Sequence, residues 1–339
     1  MVIRADHLCK EYKIQNRDAD KKKGVLKSFF HREYKVIPAL TDVSFEIGEG
    51  ELVGYIGPNG AGKSTSIKLM CGILAPTSGT VELNGVQPNK NRRANAQNLG
   101  VVFGQRSQLW WDLPVENSFE LLKRMYKVSD EDYRKRMDRI NELVNLKEFF
   151  DNPVRNLSLG QKMRAEISAA FLHNPAVVFL DEPTIGLDIV SKRNIQEFIA
   201  QINREYQTTI ILTTHDLSDV EALCRRIILI DKGRKLFDGS LSELHDRYGN
   251  TEQLSVCLDT AADSGSFTDD IFRKTDLTAD GSRIVLRYDV NEVNHSSLLK
   301  KIFESHNIVD FELKKTSLED IIHDLYLYKD YGEERAVEK

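Results

Sequence analysis

Gly57-Pro58-Asn59-Gly60-Ala61-Gly62-Lys63-Ser64-Thr65 stands between a short apolar run at 51–57 and a segment at 63–72 whose Ile67, Leu69 and Met70 suit a buried helix. The stretch fits GxxxxGK[ST], and that spacing has a mechanical reason. Backbone N–H groups of such a loop turn inward towards phosphate oxygens, and glycine, lacking Cβ, lets the backbone approach that closely. The helix opening near Lys63 adds its positive end. In this arrangement Lys63 reaches the β- and γ-phosphates and the Ser64 hydroxyl binds Mg²⁺. The glycines at 57, 60 and 62 do not have the GxGxxG spacing of a dinucleotide fold.

A second apolar strand, 176–180, ends in Asp181 and Glu182. A carboxylate at the strand tip suits Mg²⁺, which prefers hard oxygen ligands, so Asp181 is the metal candidate. One residue further, Glu182 can polarise an attacking water as general base. Alone, the pair suits a solvated loop equally well; beside the phosphate loop it points to a P-loop NTPase. Three other features narrow that class. Leu157-Ser158-Leu159-Gly160-Gln161 lies at a helix start with Ser158 as cap. Gln105 follows a strand at 100–103, and His215 follows a strand at 209–212.

In order and spacing the set resembles the ABC ATPase family over residues 2–240: Walker A at 57–65, a Q-loop at Gln105, the signature LSLGQ at 157–161, Walker B at 177–182, a D-loop ending in Asp188 and a switch histidine at His215. The resemblance implies a RecA-like core with a β-subdomain and a helical subdomain at 113–175. It implies ATP as substrate, and Mg²⁺ held by Ser64 and Asp181 and sensed by Gln105. Lys63, Glu182 and His215 would be catalytic. The signature residues Leu157, Ser158, Leu159, Gly160 and Gln161 would act in trans on ATP bound by a second subunit, and Asp188 would cross that interface. The family usually stacks an aromatic ring on adenine. Register counted back from Gly57 favours Tyr34, with Tyr12 as the rival. Leu159 stands where the family has glycine, and the D-loop reads Thr184-Ile185-Gly186-Leu187-Asp188. Neither change removes the serine or the aspartate, and with Glu182 and His215 both present each site of a homodimer is expected to hydrolyse ATP.

The rest of the sequence sets the context. At 339 residues the chain has room for about two domains. A net charge of -5 supplies no general attraction for nucleic acid, and none is expected as a partner. The cysteines, Cys9, Cys71, Cys224 and Cys257, show no CxxC pair, which fits a reducing cytosol. No stretch approaches the roughly 20 apolar residues of a membrane span. A soluble ABC protein of DNA repair would carry long coiled coils between Walker A and the signature, and no sustained heptads occur there. The alternative readings are therefore a soluble non-transport ATPase or an importer subunit. The favoured one is an ATPase on the inner membrane face, homodimeric or paired with a second ATPase subunit, that powers an integral membrane permease. Residues 106–114, with Trp110 and Trp111, resemble exporter ATPases paired with ABC-2-type permeases, the daunorubicin-resistance-like group, and these tryptophans are candidates for permease contact. Residues 14–33 read as a basic insertion, either a solvated loop or a contact for an anionic membrane face. Residues 241–339 read as a small α+β domain for dimer contacts or regulation, after an ATP-binding domain at 1–240.

Overall fold

A computed structural model describes residues 1–15, 34–104, 107–262, 265 and 267–328. Gln105 and residues 16–33 lie outside that set. The chain divides into two compact units, Met1–Gly239 and Ser240–Lys339.

The first unit runs β1 (Ile3–Gln15), β2 (Tyr34–Ile47), β3 (Leu52–Ile56), α1 (Lys63–Met70), β4 (Ser78–Leu83), α2 (Arg92–Gln97), β5 (Leu99–Phe103), α3 (Val115–Tyr126), α4 (Asp130–Val144), α5 (Leu159–Phe171), β6 (Val177–Asp181), α6 (Ile189–Tyr206), β7 (Thr209–Thr213), α7 (Leu217–Leu223), β8 (Arg226–Asp231) and β9 (Arg234–Ser240). One sheet has the order β5-β6-β7-β3-β8-β9, with β5 to β8 paired in parallel. Its inner strands are short apolar runs because helices cover both faces; Val177–Leu180 and all of β7 are buried. The crossovers carry the loops to the carboxyl ends of β3, β6 and β7, where ligands gather in open α/β sheets. A second sheet, β2-β1-β4, is antiparallel and packs its buried side chains into the same apolar cluster as β3 and α1.

The β1–β2 ladder runs further than expected. Ile14 pairs with Lys35 and Gln15 with Tyr34, so residues 14 and 15 are strand rather than insertion. The far end of this hairpin is exposed from Tyr34 to Pro38, which removes the in-out alternation that marks a half-buried strand in sequence. Between β5 and β6, α3 buries Val115, Phe119 and Leu122 on one face, and Ser129 caps α4 by accepting from Asp132 N.

The second unit contains α8 (Leu241–Tyr248), β10 (Thr251–Leu258), β11 (Thr275–Asp280), β12 (Arg283–Asp289), α9 (His295–Ser305), β13 (Ile308–Lys315) and α10 (Leu318–Tyr328). Its four strands form one antiparallel sheet, β11-β12-β10-β13. Leu254 and Val256 of β10, Ile284 and Leu286 of β12, and Leu298 and Ile302 of α9 build its core. No helix among the described residues is long and apolar enough to cross a membrane.

Candidate nucleotide site

The loop between β3 and α1 cannot take a side chain at two of its glycines. A Cβ on Gly57 would stand 2.4 Å from the Ile230 carbonyl and 2.9 Å from Ala61 Cβ. Gly62, at φ 108°, would place one 2.7 Å from the Ala39 carbonyl. Gly62 is also the N-cap of α1 and offers no side-chain acceptor to the first turn, so those N–H groups are left for an anion. Beneath the loop the buried Tyr55 hydroxyl and Ser66 Oγ are 2.8 Å apart, tying strand to helix. Pro58, Asn59, Gly60 and Ser64 are exposed, Thr65 is half-buried and Ala61 is buried. Lys63 Nζ donates to the Gly57 carbonyl and, at 3.2 Å, to the Pro58 carbonyl, which folds the ammonium over the cradle. Burial lowers the Lys63 pKa, while the nearby Glu182 and Asp181 carboxylates oppose that shift.

Opposite the cradle, β6 and β7 deliver the acids. Thr213 Oγ1 donates to Asp181 Oδ1 at 2.5 Å. Glu182 adopts φ 55°, a strained left-handed conformation for this residue type. Its N–H donates to the Thr213 carbonyl at 2.9 Å, and its Oε2 sits 2.8 Å from His215 Nδ1. With the proton on Nδ1, His215 donates to Glu182 and fixes that carboxylate. Ser64, Phe103, Gly104, Asp181 and Glu182 share one cavity of ≈ 410 Å³. A Cβ on Gly104 would lie 2.9 Å from the Asp181 carbonyl, so glycine allows the exit of β5 to pass against the end of β6. Among the described residues no three His, Cys, Asp or Glu side chains gather as a metal cage. One hydroxyl and one carboxylate fit Mg²⁺, which takes its remaining ligands from phosphates and water.

The signature meets the D-loop, whose Ile185 also lines the cavity beside Ser64. Ser158 caps α5 in a reciprocal box, accepting from Gln161 N at 3.2 Å while Ser158 N donates to Gln161 Oε1 at 3.0 Å. A Cβ on Gly160 would stand 2.8 Å from Ser191 Oγ, and one on Gly186 would stand 3.1 Å from Leu159 Cδ2. The exposed Leu159 thus leans on the D-loop turn, and Leu157 is half-buried. Asp188 caps α6, accepting from Val190 N and Ser191 N at 3.0 Å each and from Ser191 Oγ at 2.6 Å. The Ser191 hydrogen bonds hold its carboxyl below the usual range. No hydrogen bond or ion pair among the described residues joins 157–161 to 57–65.

Of the two candidates for adenine, Tyr12 is the one placed beside the cradle. Tyr12 Oη lies 3.4 Å from Thr65 Oγ1, half-buried at the cradle, whereas Tyr34 pairs with Gln15 further out on the hairpin and is 55% exposed. Tyr12 faces Ile37, three positions along β2 from Tyr34. Trp110 and Trp111 are both partly exposed. Their loop is tied down on the signature side: Arg155 N donates to the Trp111 carbonyl at 3.0 Å, and Lys162 Nζ lies 5.3 Å from the Trp111 ring centroid.

Two buried acids escaped the sequence reading. Glu166 of α5 accepts from Ser107 Oγ and from Gln108 N at 3.1 Å, and burial pushes its pKa up. It anchors the tryptophan loop to the signature helix. Asp219, fully buried in α7, accepts from Thr184 Oγ1, from Thr214 Oγ1 at 3.3 Å and from Gln196 Nε2 at 2.7 Å, with Lys192 Nζ 3.3 Å away. It joins the D-loop, the strand end before His215 and α6. The i,i+4 spacing of Lys192 and Gln196 was a weak signal of that cluster; Asp219 itself reads as a solvated helix acid.

The sequence profile of the family described as ABC transporter matches residues 40–185. The ABC transporter ATP-binding protein NatA of Bacillus subtilis (strain 168) is 32% identical over 217 residues, 64% of this chain and 88% of the relative. The chain belongs to the ABC transporter ATP-binding family. Another family member, the linearmycin resistance ATP-binding protein LnrL of the same organism, is 29% identical over 84% of this chain and 92% of its own length. Among solved ABC structures, an ATP-binding cassette described as a dimer in a post-hydrolysis state bound to ADP and Pi is 27% identical, with a TM-score of 0.58 over 70% of this chain and 98% of that one. As an ABC ATPase, the chain hydrolyses ATP.

Proposed function

We propose that this chain is the ATPase subunit of an ABC-2-type exporter, which dimerises on Mg·ATP and drives a separate integral membrane permease from the cytoplasmic face. The observation that carries the reading is that Ser64 of the cradle and Glu182 line one cavity, with His215 Nδ1 2.8 Å from Glu182 Oε2. In this reading residues 57–65 bind the phosphates and Tyr12 stacks on adenine. Ser64 and Asp181 hold Mg²⁺, which when bound offsets phosphate charge. Glu182 takes a proton from the attacking water, and His215 orients Glu182 and the γ-phosphate. Gln105, outside the described residues, keeps its expected role as metal sensor. The LSLGQ edge, with no hydrogen bond or ion pair to its own cradle among the described residues, is free to close over ATP held by a second copy, with Asp188 beside it. The first unit would be the ATP-binding domain, with α3 to α5 as its helical subdomain, and the second unit an accessory domain. The resistance function named for LnrL supports the exporter direction.

Trp110 and Trp111 would border the groove that receives the permease, with Glu166 linking their loop to the signature helix. Co-purification with the native membrane proteins tests the assignment directly. Trp110→Ala/Trp111→Ala is expected to keep basal ATPase activity while losing most stimulation by the co-purified permease; unchanged stimulation removes these residues from the interface. Loss of base stacking in Tyr12→Ala is expected to raise KM for ATP about tenfold with little change in kcat. Tyr34→Ala, measured beside it, should leave KM unaltered.

A further inference from the structure

The second unit has two sheet edges of different character. At one end, β11 shows Asp276, Thr278 and Asp280 to solvent and no exposed large apolar side chain. At the other, β13 pairs with β10 along one side and with no strand on its outer side among the described residues. There Val309 is 70% exposed and Phe311 51%. An unpaired edge with this much bare apolar surface is a template for another strand.

The charge order along β13 selects the occupant. Asp310 and Glu312 lie in its first half, Lys314 and Lys315 in its second, and none of the four forms a salt bridge among the described residues. Edge lysines ordinarily discourage pairing. Here the upstream acids make the strand complementary to itself. Asp310, Glu312 and Lys314 share one face of the strand and Lys315 lies on the other, so two copies running antiparallel can set each Glu312 opposite the other's Lys314, whereas a parallel in-register pair sets like charge on like. Antiparallel self-pairing is also what a two-fold axis generates, because one patch meets its own copy.

We infer that β13 is a homodimer edge, at which two copies of this chain join their four-stranded sheets into one continuous sheet without needing nucleotide. The contact is independent of the ATP-dependent closure proposed above, so loss of one leaves the other measurable.

The test uses full-length protein without nucleotide, in sedimentation velocity over a concentration series. Asp310→Lys/Glu312→Lys makes the edge wholly basic and Lys314→Glu/Lys315→Glu makes it wholly acidic. Each alone should associate about tenfold more weakly than the parent, and an equimolar mixture should recover a heterodimer. That recovery also shows that both variants fold. Phe311→Ser should weaken association through the apolar contact alone. A parent that stays monomeric at every concentration, as it would if residues 329–339 of its own chain covered the edge, overturns the inference. So does a mixture no more associated than its separate components.

Discussion

Glu182→Gln is expected to lower ATP turnover by roughly two to three orders of magnitude while leaving ATP binding close to that of the parent. The substitution changes almost nothing but proton affinity. The backbone at 182 stays in its left-handed conformation, held by the bond from its N–H to the Thr213 carbonyl, so the amide occupies the place of the carboxylate. The amide oxygen can still accept from His215 Nδ1, which keeps the switch histidine oriented. What disappears is the group proposed to accept the proton of the attacking water. Bound ATP therefore persists, and closed dimers should accumulate with ATP on size-exclusion chromatography. Single-turnover hydrolysis and nucleotide binding separate the two effects. Turnover at the parent rate would assign the base elsewhere.

The parts of the site legible in sequence are those whose chemistry is carried by a local pattern. Residues 57–65 are recognisable because backbone geometry demands glycine where a Cβ would strike the Ile230 and Ala39 carbonyls. β6 is recognisable because burial on both faces makes it apolar up to Asp181. What escaped depends on partners distant in sequence. Glu166 is held by residues 58 and 59 positions away, and Asp219 by Thr184, 35 positions away; nothing beside either announces burial. The nearness of Tyr12 to Thr65 is not legible in sequence, because only the strand register shows which row of the strand pair meets Thr65. β4 and β11 escaped for a simpler reason: Ser78–Leu83 is exposed over its first half, and Thr275–Asp280 has Leu277 as its one large apolar residue among half-buried and exposed positions in alternation. Strand pairing, rather than intrinsic preference, holds both.

Lys63→Ala should remove most of the nucleotide affinity without unfolding the chain. The ammonium is half-buried and its protein partners are two loop carbonyls, Gly57 and Pro58, which face water or neighbouring backbone once it is gone. Apart from the phosphate itself, the fold loses little. The phosphates lose a charge-assisted hydrogen bond worth about 1.5–3 kcal/mol, which is roughly a 10- to 100-fold weaker Kd. Thermal unfolding with and without nucleotide distinguishes this from a folding defect. At a nucleotide concentration of about 100 times the parent Kd, the parent gains about 2.7 kcal/mol of stability. A 100-fold weaker variant under the same conditions gains only about 0.4 kcal/mol from the same relation. The two proteins should therefore melt together without nucleotide and separate on its addition. Equal shifts for both would show that the loop amides and the open end of α1, rather than Lys63, supply the binding free energy, and would leave the lysine to the transition state alone.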